Sequence, residues 1–337
     1  MVDPDPPSDL PSGPWGRRIE RMRPWLAWSF GLLPFGWVLL RLSGAGAGTR
    51  LEVLLVFTPF AALASVFCVG GALLLRHRRA AGVAAVACLG FLLVLAPQFS
   101  AGPNAESDPS GPRLRVMTLN AKYGEADPSE VVALIEEHEI DVLGLQELTP
   151  ELAAALEERG LQDLLGHRAV HPAPEASGMG LYADVPFDEV DVGVTDEVDP
   201  VTGRFSLAHG QILEITVVHP LPPLGSWRST WIDALGQLAE VEVGGTDDPV
   251  RLIIGDFNAT LDQPTLQALL DAGYHDAASA VGRGWVPTWG PGAVPLLAID
   301  HVLVDRSVHV ESAGIHSVTG SDHRAVVATL RLPGPTD

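Results

Sequence analysis

The sequence predicts two structural classes in one chain: three transmembrane helices, followed by a mixed α/β soluble domain. Three observations carry that prediction. Pro24–Leu42, Leu51–Leu75 and Ala80–Phe99 each approach or exceed the roughly 20 apolar residues that cross a hydrocarbon core as a helix. Residues 100–112 (SAGPNAESDPSGP) have the composition of a linker. Beyond them, short apolar runs of β type alternate with amphipathic helical patterns.

The basic residues orient the spans. Arg17, Arg18, Arg21 and Arg23 precede the first stretch, and Arg76, Arg78 and Arg79 with His77 fill the second connection. The first connection has only Arg41 and Arg50 at its ends, and no basic residue follows the third stretch before Arg113. The positive-inside rule therefore predicts a multi-pass protein of the cell membrane with a cytoplasmic N-terminus and an extracytoplasmic C-terminal domain. The expected organisation is a disordered cytoplasmic tail at 1–23, an anchor at 24–99, a linker at 100–112 and one domain at 113–332. Pro34 and Pro59 are tolerable inside membrane helices, and Glu52, at the edge of the second stretch, is expected to reach headgroups.

Charge separates the two parts as sharply as hydropathy does. Residues 1–100 hold 9 of the 21 Lys+Arg and 5 of the 42 Asp+Glu. The rest of the chain has 12 Lys+Arg against 37 Asp+Glu, a net formal charge of −25, and Lys122 is its only lysine. Non-specific affinity for nucleic acid rests on Lys and Arg, so a nucleic-acid partner is disfavoured. Cys68 and Cys88 both lie in apolar runs, and the domain has no cysteine for a disulfide or a thiolate metal site. A metal there would rest on oxygen and imidazole, donors that suit Mg²⁺, Mn²⁺ or Ca²⁺.

Within the domain, Leu114–Asn120 is the first strand. Asp127-Pro128-Ser129-Glu130 opens a helix to about His138, with a capping residue followed by Pro near the first helical position. Ile140–Leu145 reads as a buried strand and Pro150–Arg159 as an amphipathic helix. Strands at Gln211–Val218, Arg251–Ile254, Ile299–Val304 and Ala325–Leu332 alternate with helices at Trp231–Val243 and Thr265–Ala272. Asn120, Glu147, His219, Asp256 with Asn258, Asp300, and Asp322 with His323 all fall at strand ends, where rigid scaffolds present reactive groups. One such residue alone would be an ordinary turn former; the same placement repeated along the domain points to chemistry.

Three motifs stand out: Thr118-Leu119-Asn120 with Gln146-Glu147 downstream; Gly255-Asp256-Phe257-Asn258 after an apolar run; and Ser321-Asp322-His323, preceded by Ile299-Asp300-His301. In this order they resemble the endonuclease/exonuclease/phosphatase superfamily across about residues 113–332. The resemblance implies an α+β fold, a four-layered α/β/β/α sandwich of the metal-dependent phosphoesterase type. It implies a divalent cation, Mg²⁺ or Mn²⁺, on Glu147, with Asn120 beside it touching metal or phosphate and Asp322 as a second metal-side carboxylate. It gives Asp256 the nucleophilic water, Asn258 and His219 phosphate contacts, and His323 acid–base transfer supported by Asp300. The chain departs from the family at Ser177–Tyr182, where Tyr182-Ala183-Asp184 replaces a segment that usually carries Arg; Tyr182 reads as core. Trp285 and Trp289 fit a cleft wall, a bilayer contact or core equally. His167, His171, His209, His275 and His316 match no motif and read as structural.

The three-span anchor with an outward domain further resembles the VanJ-type membrane proteins of actinomycetes linked to teicoplanin resistance. That implies a membrane-surface substrate such as a polyprenyl pyrophosphate of the cell-wall cycle. A membrane-tethered nuclease or a phospholipid phosphodiesterase would use the same residues. A binding module without activity is the reading from another class, and it would be expected to have lost a motif residue; none is lost.

Overall fold

A computed structural model describes residues 14–334 except 103–110, 193–198, 208–209, 242, 244–247 and 293. Residues 1–13 of the expected tail, most of the expected linker and His209 lie outside the described residues. The chain divides into two compact units, residues 1–45 with 57–95, and residues 46–56 with 96–337.

The first unit is helical: α1 (Pro14–Ser43), α2 (Thr58–Leu74) and α3 (Arg78–Phe99). Three segments, Glu20–Ser43, Glu52–Leu74 and Arg78–Phe99, are long and apolar enough to cross a membrane. Large apolar side chains such as Leu33, Phe67 and Leu93 stay more than 70 % exposed. Two expectations change here. Helix α1 begins at Pro14, so the Arg-rich stretch before the first span is helical: Pro suits a helix start, and Arg and Glu are good helix formers. Pro59 sits at the start of α2, where its missing N–H costs nothing, and the residues before it, Glu52–Phe57, form a 3₁₀ turn.

The second unit carries two six-stranded sheets. The first sheet is made of β1 (Arg113–Asn120), β2 (Val142–Gln146), β3 (His167–His171), β4 (Met179–Ala183), β11 (His309–Ser317) and β12 (Arg324–Arg331), in the order β11-β12-β1-β2-β4-β3. The second is made of β5 (Glu189–Val192), β6 (Val201–Ser206), β7 (Ile212–Val218), β8 (Val250–Asp256), β9 (Tyr274–Asp276) and β10 (Asp300–Asp305), in the order β5-β6-β7-β8-β10-β9. The inner faces pack together through Val116, Val142, Ile215, Val217, Ile254 and Val326. Gly144 lets the sheets approach: a Cβ there would stand 2.9 Å from Ile254 Cδ1.

The outer face of the first sheet is covered by α4 (Pro128–His138), α5 (Pro150–Glu158) and α6 (Leu161–Leu164), through Val131, Ile135, Leu152 and Leu156. Helices α7 (Trp227–Ala239) and α8 (Pro264–Asp271) cover the second sheet through Trp231, Leu235, Leu266 and Leu269, and α9 (Ala277–Ala280) follows β9. The result is the expected four-layered α/β/β/α sandwich. Asp127 caps α4 as its position predicts, accepting from Ser129 N at 2.8 Å. Helix α7 runs Trp227–Ala239 rather than Trp231–Val243, beginning in the loop after Pro223. Strands β3, β5, β6, β9 and β11 were not expected, being short or lacking a continuous apolar run, and β4 was expected only as a departing motif segment. Tyr182 on β4 is core, 3 % exposed.

Candidate active site

Strand register assembles the site. Parallel pairing of β1 with β2 sets Asn120 opposite Gln146, so Glu147 emerges beside Asn120. Parallel pairing of β7 with β8 sets Val218 opposite Gly255, so His219 and Asp256 emerge side by side. Antiparallel pairing of β8 with β10 sets Asp256 directly opposite Asp300. Packing one sheet on the other then brings the strand ends together.

Local backbone does the final aiming. Gly255 has φ 147°, and a Cβ there would lie 2.0 Å from Val218 O, so only glycine fits between the two strand ends. Glu147 and Asn258 take the left-handed region, at φ 56° and 48°, an uncommon state that redirects a side chain at a strand end. A hydrogen bond from Asn258 N to Asp256 Oδ1 (2.8 Å) closes the Asp256–Asn258 turn, and Asn258 Nδ2 donates to Pro220 O at 3.0 Å.

The centre is a chain of contacts across both sheets. Asn120 Nδ2 donates to Glu147 Oε1 at 3.0 Å and to Asp256 Oδ2 at 3.1 Å. Glu147 Oε2 accepts from Tyr123 N at 2.7 Å. His219 Nε2 stands 3.5 Å from Asp256 Oδ2 and 3.7 Å from Glu147 Oε1. His323 Nδ1 lies 3.0 Å from both oxygens of Asp300, while its Nε2 stands 3.7 Å from Asp256 Oδ2. Thr288 Oγ1 pins the Asp300 backbone by accepting from Ile299 N and Asp300 N, each at 3.1 Å. Ser321 Oγ donates to Asn120 O (2.7 Å) and accepts from His323 N (2.9 Å), tying the last motif to the first.

Electrostatics follow from this packing. Burial disfavours a charged His323, but Asp300 and Asp256 outweigh it and raise its pKa to about 9, so the imidazole is protonated at neutral pH. Burial raises the pKa of Asp256 above the usual carboxylate range, against the pull of His323 and His219.

Ligand atoms of Asp256, Asp300 and His323 lie within 4.8 Å of one another. A protonated imidazole has no lone pair for a metal, so it is the carboxylate oxygens of the centre that suit a hard divalent ion. Two residues expected near a metal take other partners in this structure. Asn120 Oδ1 accepts from Lys122 N at 2.9 Å, so its amide nitrogen, which has no lone pair for a metal, faces the carboxylates. Asp322 stands apart from the cluster, its Oδ2 accepting from Trp289 Nε1 at 3.2 Å. Neighbouring residues of extended chain face opposite ways, and His323 takes the inward direction.

The two tryptophans separate. Trp289 flanks His323, with ring centroids 6.3 Å apart, whereas Trp285 stacks on Phe99 at 5.3 Å. Sequence reasoning did not single out His301 by role. It lies on the opposite face of β10 from Asp300, its Nδ1 3.0 Å from Asp276 Oδ2 and its Nε2 2.9 Å from Ala259 O, next to Asn258. Burial disfavours its charge, but the bond to Asp276 prevails and raises its pKa. Its place in Ile299-Asp300-His301 was the only available signal.

Two cavities open on the centre. One of about 490 Å³ is lined by Lys122, Glu130, Ser321, Asp322 and His323. The other, of about 570 Å³, begins at His219 and is lined by Pro220, Leu221, Trp227, Asp233 and Leu238, with no Lys or Arg among its described residues.

The sequence matches the Endonuclease/Exonuclease/phosphatase family over residues 117–323, and the chain belongs to that family. Its fold is similar to that of a humanized D. rerio TDP2 (17% identity, TM-score 0.51, covering 65% of this chain and 98% of that one). It is likewise similar to the 3' phosphatase NExo from Neisseria bound to a product DNA hairpin (18%, 0.51, 64% and 98%). An endonuclease/exonuclease/phosphatase from Beutenbergia cavernae matches at 18% identity and TM-score 0.50, over 66% of this chain and 72% of that one. No curated protein matches the chain.

Proposed function

We propose that this chain is a metal-dependent phosphoesterase of the outer face of the cytoplasmic membrane, hydrolysing a polyprenyl pyrophosphate in the manner implied by its resemblance to VanJ-type proteins. The observation that carries the reading is the make-up of the second unit. The acid–base centre belongs to the same compact unit as Gly46–Val56, which holds the connection after the first candidate span and the first residues of the second. Substrates carried by a bilayer are the ones such a domain meets. The cavity beside His219 supports an amphiphile, because apolar Leu221, Trp227 and Leu238 with acidic Asp233 would repel a polynucleotide backbone.

In this reading Asp256 takes the proton of the attacking water as its oxygen bonds to phosphorus. His323, charged at neutral pH, gives a proton from Nε2 to the leaving oxygen as the old bond to phosphorus breaks. Asp300 holds that imidazole in register through Nδ1. His219 and Asn258 contact phosphoryl oxygens, and Asn120 sets Glu147 and Asp256 side by side. Mg²⁺ or Mn²⁺, held through Glu147 with Asp322 at the rim, would neutralise charge on the phosphoryl oxygens. The proposed layout keeps a cytoplasmic tail at 1–23, an anchor at 24–99, a linker at 100–112 and a catalytic domain at 113–332.

One experiment tests both substrate and sidedness. Right-side-out membrane vesicles carrying the protein, supplied with Mg²⁺, should release phosphate from undecaprenyl pyrophosphate faster than they cleave plasmid DNA. Preference for DNA would overturn the substrate, and activity confined to inside-out vesicles would overturn the orientation.

A further inference from the structure

Glu52 was expected at the headgroups, yet it is 1 % exposed and bound inside the second unit. Its Oε2 accepts from Gly48 N at 2.8 Å, and its Oε1 accepts from Thr265 N at 2.7 Å. Thr265 lies in the first turn of α8, whose own capping position, Gln263, makes no side-chain cap. A carboxylate from the first residue of the second candidate span thus satisfies an orphan amide of α8 and complements its dipole. Arg228 of α7 donates to Gly48 O, fastening the loop that precedes it.

The segment leaving α3 attaches to the same place. Gln98 Nε2 donates to Asp262 Oδ1 at 3.4 Å, Phe99 stacks on Trp285, and Ala101 bridges to Val281. Gln98 thus contacts the buried turn Thr260–Gln263 itself, closed by a bond from Thr260 N to Gln263 Oε1 at 2.9 Å, and Glu52 binds two residues beyond it. That turn runs directly on from Asp256-Phe257-Asn258, whose geometry depends on Asn258 keeping an uncommon φ.

We propose that Glu52 is a positioning residue for the Asp256–Asn258 loop: the start of the second candidate span and the exit from the third clasp the turn behind it. Residues 46–56 and 96–101, which belong to the same compact unit as the centre, are then a working part of the active site. The inference rests on the proposed function only in taking Asp256 and Asn258 as catalytic.

The test uses the full chain in detergent micelles, with bis(p-nitrophenyl) phosphate and Mg²⁺ as the probe reaction. Displacing a catalytic loop costs rate more than binding, so Glu52→Ala should lower kcat by about 10-fold with little change in KM. Glu52→Gln keeps an oxygen for Thr265 N and should restore most of that rate. Amide hydrogen exchange, read in parallel, should speed up across residues 256–266 in Glu52→Ala and not in Glu52→Gln. Gln98→Leu, at the other attachment, should shift both readouts in the same direction and serves if Glu52→Ala does not fold. Unchanged exchange across 256–266 would overturn the clasp, and faster exchange with unchanged kcat would reduce Glu52 to a helix cap. A wild-type protein inactive on the probe would count against the phosphoesterase reading, and the exchange contrast would still decide the clasp.

Discussion

The sheet holding β1 and β2 brings Asn120 and Glu147 to the centre, whereas the sheet holding β7, β8 and β10 brings His219, Asp256 and Asp300. Both supply carboxylates, but the partners differ. Glu147 leans on neutral donors, Asn120 Nδ2 at 3.0 Å and Tyr123 N at 2.7 Å, and its one imidazole neighbour, His219, stands farther off at 3.7 Å without a hydrogen bond. Asp300 is bonded to the His323 imidazole, and Asp256, besides accepting from Asn120 Nδ2 and Asn258 N, stands 3.5 Å from His219 and 3.7 Å from His323. A carboxylate bonded only to amides has lone pairs left for a cation, while one within reach of an imidazole can also exchange a proton with it. One residue type thus does two jobs, assigned by what surrounds it. Asn120 touches both sides, and His323, which precedes β12 of the first sheet, crosses to serve the second.

Variants on the proton side test the division most severely. Asp256→Ala and His323→Ala should each lower kcat by about 10²-fold or more at saturating Mg²⁺ in steady-state assays. The Asp300→Ala/His323→Ala double variant should be little worse than His323→Ala, because the two act as one unit. Losses that simply multiply would break the proposed pairing.

A smaller and reversible effect is expected on the metal side. Glu147→Gln should raise the Mg²⁺ needed for half-maximal activity by about 10-fold or more, and titration with Mg²⁺ or Mn²⁺ should recover part of the rate. Full activity of the wild type in EDTA would remove the metal side altogether.

The smallest effect concerns stability. His323 binds its proton more tightly when folded, with a pKa near 9 against 6.5 for the free side chain. A raised pKa contributes stability that is whole below pH 6.5 and is lost as pH rises through 9, worth about 3 kcal/mol at about 1.4 kcal/mol per unit. Melting of the catalytic domain in EDTA, followed by tryptophan fluorescence, should therefore weaken between those pH values in the wild type. In His323→Gln that slope should shrink to the part that His301, whose pKa is also raised, contributes, and an unchanged slope would place the ionisation elsewhere.

Much of this centre was legible because short motifs mark strand ends. Asn120, Glu147, His219, Asp256, Asp300 and His323 were named from sequence and do converge. Asp322 and the carbonyl of Asn120 were legible as types but not as directions, since a side chain's aim depends on which of two neighbours turns inward. His301 escaped because its partners, Asp276 and Ala259 O, are distant in sequence and lie on the far face of the sheet.

By itself the sequence determined that three apolar helices precede a mixed α/β domain, that the domain is acidic and free of cysteine, and which residue types stand at its strand ends. These follow from composition and from periodicity over a few neighbours, which a linear reading can see. Tertiary structure alone decided which carboxylate meets an amide and which an imidazole, that Trp289 flanks His323 while Trp285 stacks on Phe99, and that Glu52 caps a helix far along the chain. Those outcomes depend on sheet register and on one sheet packing against the other, which bring together groups that no local pattern relates.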